Sequence, residues 1–189
     1  MVDLIIYIKT LKQFYKLKQF KKETDVIKSF EVLFEVIENE YLLTYSICGD
    51  ISEIIIPVIE YIPKSYKRHD ELWKTTCFEL FLGSKKHRKY IEVNLSSDYK
   101  YNIYSFDDYR SNMKEERSMI LKSIKNNIAK QKLTLNYILK SKKVININDL
   151  RFNITAVIKY KNQKIEYWAI NHNKEKADFH DFYSFTKFN

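Results

Sequence analysis

The chain has 189 residues, enough for one domain with a substantial core, and 45% of them are hydrophobic. Its formal net charge is +9, yet only five of its 33 basic residues are arginines (positions 68, 88, 110, 117 and 151), and the lysines are spread along the chain. No RNP-type aromatic motif, zinc-ligand spacing or recognition-helix pattern accompanies that charge, which argues against nucleic acid as a partner.

At the amino terminus, 3–9 has a short apolar run with Asp3 ahead of it and no small-residue cleavage site, so it is expected to be a strand rather than a secretory signal. Alternation continues through predicted strands at 30–38, 41–48, 52–56, 76–82, 89–95, 100–106, 132–139, 151–160 and 164–171. Asn39-Glu40, Gly49-Asp50, Gly83-Ser84, Ser96-Ser97-Asp98 and Asn162-Gln163 separate them and favour turns. The segment 112–130 differs: Met113, Ile120, Leu121, Ile124 and Ile128 form a weak helical stripe, which predicts a helix or a Lys-rich loop. Cys48 and Cys77 fall within apolar strands and are expected to be free thiols in a reducing compartment, a disulfide between them being the alternative. No apolar run approaches the ~20 residues of a membrane span, so a cytoplasmic location with no membrane partner is expected. With no repeat and no linker, residues 1–189 read as one all-β domain. The expected architecture is an antiparallel β-sandwich, jelly-roll or immunoglobulin-like, of about ten strands with one or two short helices.

The strands at 76–82 and 89–95 carry the clearest functional signal. Alternation sends Phe78, Leu80 and Leu82 to one face and Cys77, Glu79 and Phe81 to the other. In the next strand it separates Ile91, Val93 and Leu95 from Tyr90, Glu92 and Asn94. If these strands pair across the turn at 83–89, Glu79, Glu92 and Asn94 converge on one face. An unpartnered buried carboxylate costs several kcal/mol, so such a face must be wet or supplied with donors.

The run Leu72-Trp73, Thr76-Cys77-Phe78-Glu79-x-Phe81, Glu92-x-Asn94-x-Ser96, Tyr104-x-Phe106-x-x-Tyr109-Arg110-x-x-Met113 resembles bacterial DOMON-like proteins, relatives of the family-9 carbohydrate-binding modules. Tyr167-Trp168-Ala169-Ile170-x-His172 with Asp178-Phe179-His180 resembles the carboxy-terminal signature of the same group, and Tyr45-x-Ile47-x-Gly49, Ile56-Pro57 and Arg68-x-Asp70 resemble its first strands. The chain departs from that pattern at a Pro-Ser-Gly turn (here Ser97-Asp98-Tyr99), at a Trp (Tyr101), at a Gly before the Met (Asn112), and at two prolines and a glycine (Asn173, Ala177 and Glu175). The resemblance implies a β-sandwich related to sugar-binding and haem-binding domains.

The expected function is non-catalytic binding of a carbohydrate or sugar-containing metabolite by Trp73, Glu79, Glu92, Asn94, Arg110, Trp168 and His172. Aromatic rings would lie against sugar C–H faces while planar polar groups fork to hydroxyls. Trp168 and His172 share a strand face, taken to be that of Glu79, and Arg110 is a candidate ion-pair partner for Glu79. Each has a structural alternative: Trp168 as core, Trp73 as a lid on the sandwich end, His172 bound to a carbonyl, and Glu92 with Asn94 in an internal network. His172, Asp178 and His180 form a weak metal candidate, whereas His69 and His87 lie in basic turns and read as solvated surface. No cofactor is expected. The rival readings are haem ligated by His172 and Met113, and a glycosidase built on Glu79 and Glu92.

Overall fold

The computed structural model describes residues 10–58, 63–143 and 146–189; the strand expected at 3–9 lies outside them. Thirteen strands are assigned among these residues: β1 (Thr10–Lys16), β2 (Lys18–Gln19), β3 (Ile27–Ile37), β4 (Glu40–Gly49), β5 (Lys67–Arg68), β6 (Cys77–Ser84), β7 (His87–Leu95), β8 (Lys100–Phe106), β9 (Lys114–Glu115), β10 (Met119–Ile128), β11 (Lys132–Ser141), β12 (Leu150–Lys159) and β13 (Ile165–Ala169). The helical content among them is four single-turn 3-10 segments, at Ile51–Glu53, Leu72–Lys74, Ile147–Asp149 and Phe182–Ser184.

Five strands in the order β1-β3-β4-β11-β10 form one sheet, and β2-β13-β12-β6-β7-β8-β5 form the second, with β9 added to β8. Apart from the short parallel pair β5–β8, the pairings are antiparallel. The inner faces close on a continuous core that includes Phe30, Phe34, Tyr45, Phe78, Phe152 and Trp168. This is the expected antiparallel sandwich, and the alternation of burial along β3 and β4 is what period-two patterning with one wet face produces.

The expectation of a helix or loop at 112–130 is corrected: β9 and β10 occupy most of the segment. Met119, Leu121 and Ile124 point inward, and the register of β10 against β11 shifts between Leu121 and Ser123. A bulge inserts one residue and moves the inward positions from a spacing of two to a spacing of three. The bulge accounts for the three-residue spacing of Leu121 and Ile124; the other residues of the apparent stripe, Met113, Ile120 and Ile128, are exposed. At 52–56 the chain forms the 3-10 turn and an isolated bridge from Ile54 to Tyr160 instead of a full strand.

Two non-glycine residues adopt backbone geometry that favours glycine. Tyr99 has φ 67° and Asn112 φ 53°, both in the left-handed region that L-residues other than Asn and Asp seldom occupy. Tyr101 lies in the core beneath the Arg68 guanidinium. Cys48 and Cys77 are free thiols.

A polar floor beneath an aromatic rim

The outer face of the second sheet carries the candidate site. β6 and β7 pair with Glu79 opposite Asn94 and Phe81 opposite Glu92, the hairpin that brings the three polar groups together. Directly opposed residues in antiparallel strands share a face, so the register extends the row outward. Thr155 of β12 stands opposite Glu79, and Asn102 of β8 opposite Asn94. Tyr104 stands opposite Glu92, and Tyr90 opposite Phe106. A cavity of about 430 Å³ lies over this floor, with Glu79, Glu92 and Arg110 in its wall and Trp73, Phe106 and Tyr167 among its rings. Phe179 and His180 reach the same cavity from the segment after β13.

Both carboxyls are deeply buried: Glu79 is 2% exposed and Glu92 6%. The Thr155 hydroxyl donates to Glu79 Oε2 at 2.8 Å, and the Asn94 amide donates to Glu92 Oε1 at 2.8 Å. Those are their only hydrogen bonds to described residues, whereas Glu166, buried in the core, receives three. Its donors are Thr24 Oγ1 at 2.7 Å, Tyr160 OH at 2.5 Å and Trp168 Nε1 at 3.2 Å. Burial, and then the charge of Glu92, raise the Glu79 carboxyl from 4.5 to about 8. Burial likewise raises Glu92, against the pull of Asn94 and Arg110.

A chain of side chains holds the cavity's far wall. The Arg110 backbone amide donates to Tyr90 OH at 3.1 Å, and that hydroxyl meets His180 Nδ1 at 2.7 Å. With the phenol proton directed to Nδ1, a neutral imidazole carries its own proton on Nε2, 3.6 Å from Glu92 Oε2 and too far for a hydrogen bond. Burial and the nearby Arg110 lower the His180 pKa to about 4, so the ring is neutral at pH 7. Arg110 adopts φ 49° in the loop after β8. Its guanidinium pairs with Asp178 at 3.2 Å, and it makes no ion pair with Glu79, which corrects the expected partnership. Tyr109 and Lys174 also bind Asp178, at 2.8 and 2.5 Å.

Of the expected site residues, the structure brings Trp73, Glu79, Glu92 and Arg110 to the cavity and sets Asn94 behind Glu92. Trp73 rides on the 3-10 turn before β6 with its ring edge against Tyr104, 5.9 Å between centroids. Trp168 and His172 stand elsewhere. β13 pairs with β12 so that Ala169 opposes Thr155 and Tyr167 opposes Val157, which puts Tyr167 on the site face and turns Trp168 into the core against Phe30. The even positions of β13 that alternation groups with His172 are therefore the inner ones. His172 bonds to the Lys18 carbonyl at 2.9 Å and packs on Phe20.

The metal candidate of His172, Asp178 and His180 is not assembled, since each is engaged with a different partner. Among the described residues no group of three His, Cys, Asp or Glu side chains could hold a metal ion. The haem pair of His172 and Met113 is not brought together either: Met113 reaches the cavity and His172 does not line it. His69 and His87 are exposed, as their basic turns suggest. Thr155 and Tyr167 are site residues that the sequence reading passed over. Their signal was present in the phase of β12, where Phe152, Ile154 and Ala156 face inward and Thr155 faces out.

No protein-family model matches the chain, and no curated protein sequence matches it. Among solved structures, the chain is similar to one described as a "putative carbohydrate-binding protein" from Bacteroides uniformis. The TM-score is 0.61 at 12% identity, over 92% of this chain and 84% of that one. It also aligns with a family-9 carbohydrate-binding module from Caldicellulosiruptor kristjanssonii in complex with cellotriose, with TM-score 0.49 at 10% identity, over 87% of this chain and 75% of that one. At such identities the first likeness establishes the fold.

Proposed function

We propose that this domain binds a carbohydrate non-catalytically, in the cavity on the outer face of the second sheet. The observation that carries the reading is the pairing of a polar floor with an aromatic rim. Glu79 and Glu92 each present below one carboxyl oxygen that makes no hydrogen bond among the described residues, and Trp73, Phe106, Tyr167 and Phe179 supply apolar surface around them. Sugars present just that duality, with hydroxyls on the ring edge and C–H groups on its faces. A space of about 430 Å³ falls within the range of small-molecule sites. A likeness in fold to a protein described as a putative carbohydrate binder is compatible with the reading but is a fold-level analogy. The reading requires no cofactor.

A thermal-shift screen against mono- and oligosaccharides tests it, because a ligand that binds only the folded state raises the melting temperature. A sugar at millimolar concentration should raise it, and the shift should vanish in Trp73→Ala. No shift with any sugar refutes the reading, and hydrolysis of an aryl glycoside that is lost in Glu79→Gln would replace binding with catalysis.

A further inference from the structure

The buried core carboxylate Glu166 receives a full set of donors, but Glu79 and Glu92 receive one each, and in each the second oxygen has no hydrogen bond among the described residues. Neither second oxygen is a fully buried orphan, so both are open to the cavity that the two residues line. Hydrogen-bonded packing alone would be better served by glutamine or an apolar side chain, because an unpaired buried charge costs several kcal/mol. The groups facing the pair account for the local charge. On the strands these are Cys77, Tyr90, Tyr104, Asn94 and Thr155, all neutral at pH 7; the covering segments bring Arg110, Lys174, Asp178 and His180. Arg110 and Lys174 both bind Asp178, and His180 is neutral. At the edge of the floor Asp70 accepts from Tyr104 and Asn102, and Arg68 donates to Asn102. With both glutamates ionised, Arg110, Lys174 and Arg68 stand against Glu79, Glu92, Asp178 and Asp70, three cations against four anions, and the missing charge is one cation at the cavity floor.

We infer that the ligand supplies that cation: the saccharide bound by this cavity carries a protonated primary amine, as in a 2-amino-2-deoxyhexose unit, seated on the free oxygens of Glu79 and Glu92. The inference rests on the carbohydrate reading and narrows it. An ammonium offers three donors and no acceptor, which suits two carboxylate oxygens that lack donors. The protein's overall charge of +9 opposes cations, so any preference for the amine must arise locally. Since the empty pair retains a proton near neutrality, the ammonium expels it on binding.

Three β-1,4-linked trisaccharides test the inference by titration calorimetry at about pH 6.5: the glucosamine trimer, its fully N-acetylated form, and cellotriose. The amine form should bind at least about tenfold more tightly than either neutral form. Its heats should depend on the ionisation enthalpy of the buffer, reporting proton release. Glu92→Gln should weaken the amine form by about tenfold or more without lowering the urea midpoint, and Glu40→Gln, on the other sheet, should leave it unchanged. Equal or tighter binding of cellotriose overturns the amine inference and leaves the carbohydrate reading standing. If none of the three binds, the amine inference falls and the thermal-shift screen alone decides the carbohydrate reading. Calcium alone binding in a manner lost in Glu92→Gln would make the pair a metal site and overturn the inference as well.

Discussion

Replacing Glu79 by glutamine should make the protein more stable at alkaline pH while leaving it nearly unchanged in mild acid. In the folded chain the Glu79 carboxyl is raised from 4.5 to about 8, by burial first and by Glu92 second. Below pH ~4.5 the carboxyl is protonated in both folded and unfolded states and contributes no pH dependence. From there to about pH 8 the unfolded chain has released the proton and the folded chain still holds it, so stability falls as pH rises. A rise of that size corresponds to at most about 4–5 kcal/mol at ~1.4 kcal/mol per unit. Because Glu92 shares the effect, the two titrate as a pair and Glu79 alone should account for less, about 2–3 kcal/mol.

Glutamine keeps an acceptor for the Thr155 hydroxyl, which now donates at 2.8 Å, and removes the charge. Urea unfolding of wild type and Glu79→Gln at about pH 5, 6.5 and 8 measures the difference, and subtracting one profile from the other removes every unrelated titration. The difference should grow steadily toward pH 8 in favour of the variant. Parallel profiles would show that Glu79 ionises in the folded state as it does in the unfolded chain. That result would remove the physical basis for an electrostatically strained floor.

Thr155→Val should cost about 1–2 kcal/mol near pH 8, where Glu79 needs its one donor most, and less near pH 5; the same urea series reads it. Trp168→Ala should lower stability by about 3–5 kcal/mol in chemical denaturation, because it empties a core position against Phe30 and strips a donor from Glu166. With a thiol reagent such as dithionitrobenzoate, Cys48 should react in the native protein, whereas Cys77 should react only after unfolding. Cys48 is partly exposed, while burial holds the Cys77 thiol well above its usual range. Gly49→Ala should destabilise by roughly 2 kcal/mol or more in thermal melts, since a Cβ there collides with the Val26 carbonyl at a backbone φ of 153°.

The sandwich was legible because period-two alternation is strong where one strand face is wet and the other is core, as in β3 and β4. It misled at β10, where the bulge spaces the inward Leu121 and Ile124 by three and the exposed Ile120 and Ile128 completed an apparent helical stripe. The floor of the site was legible for a different reason: Glu79, Glu92 and Asn94 are polar residues inside strands whose other face is uniformly apolar, and a two-strand hairpin suffices to bring them together. The walls were not legible, because they depend on pairing between distant strands. Nothing local to 164–171 tells whether Trp168 or Tyr167 belongs with Glu79. Only the register of β13 on β12, and of β12 on β6, decides it. Arg110 shows the same limit for charge. Its sequence neighbourhood offers Glu79 as readily as any acid, but the loop's left-handed turn and the segment after β13 deliver Asp178 to it instead. A buried acid can therefore be recognised as a functional candidate from one strand, but whether it is neutralised depends on residues that only the closed fold supplies. At this site Arg110, the cation that lines the cavity, is already paired with Asp178, so neither Glu79 nor Glu92 has an ion-pair partner of its own among Lys and Arg side chains of the described residues.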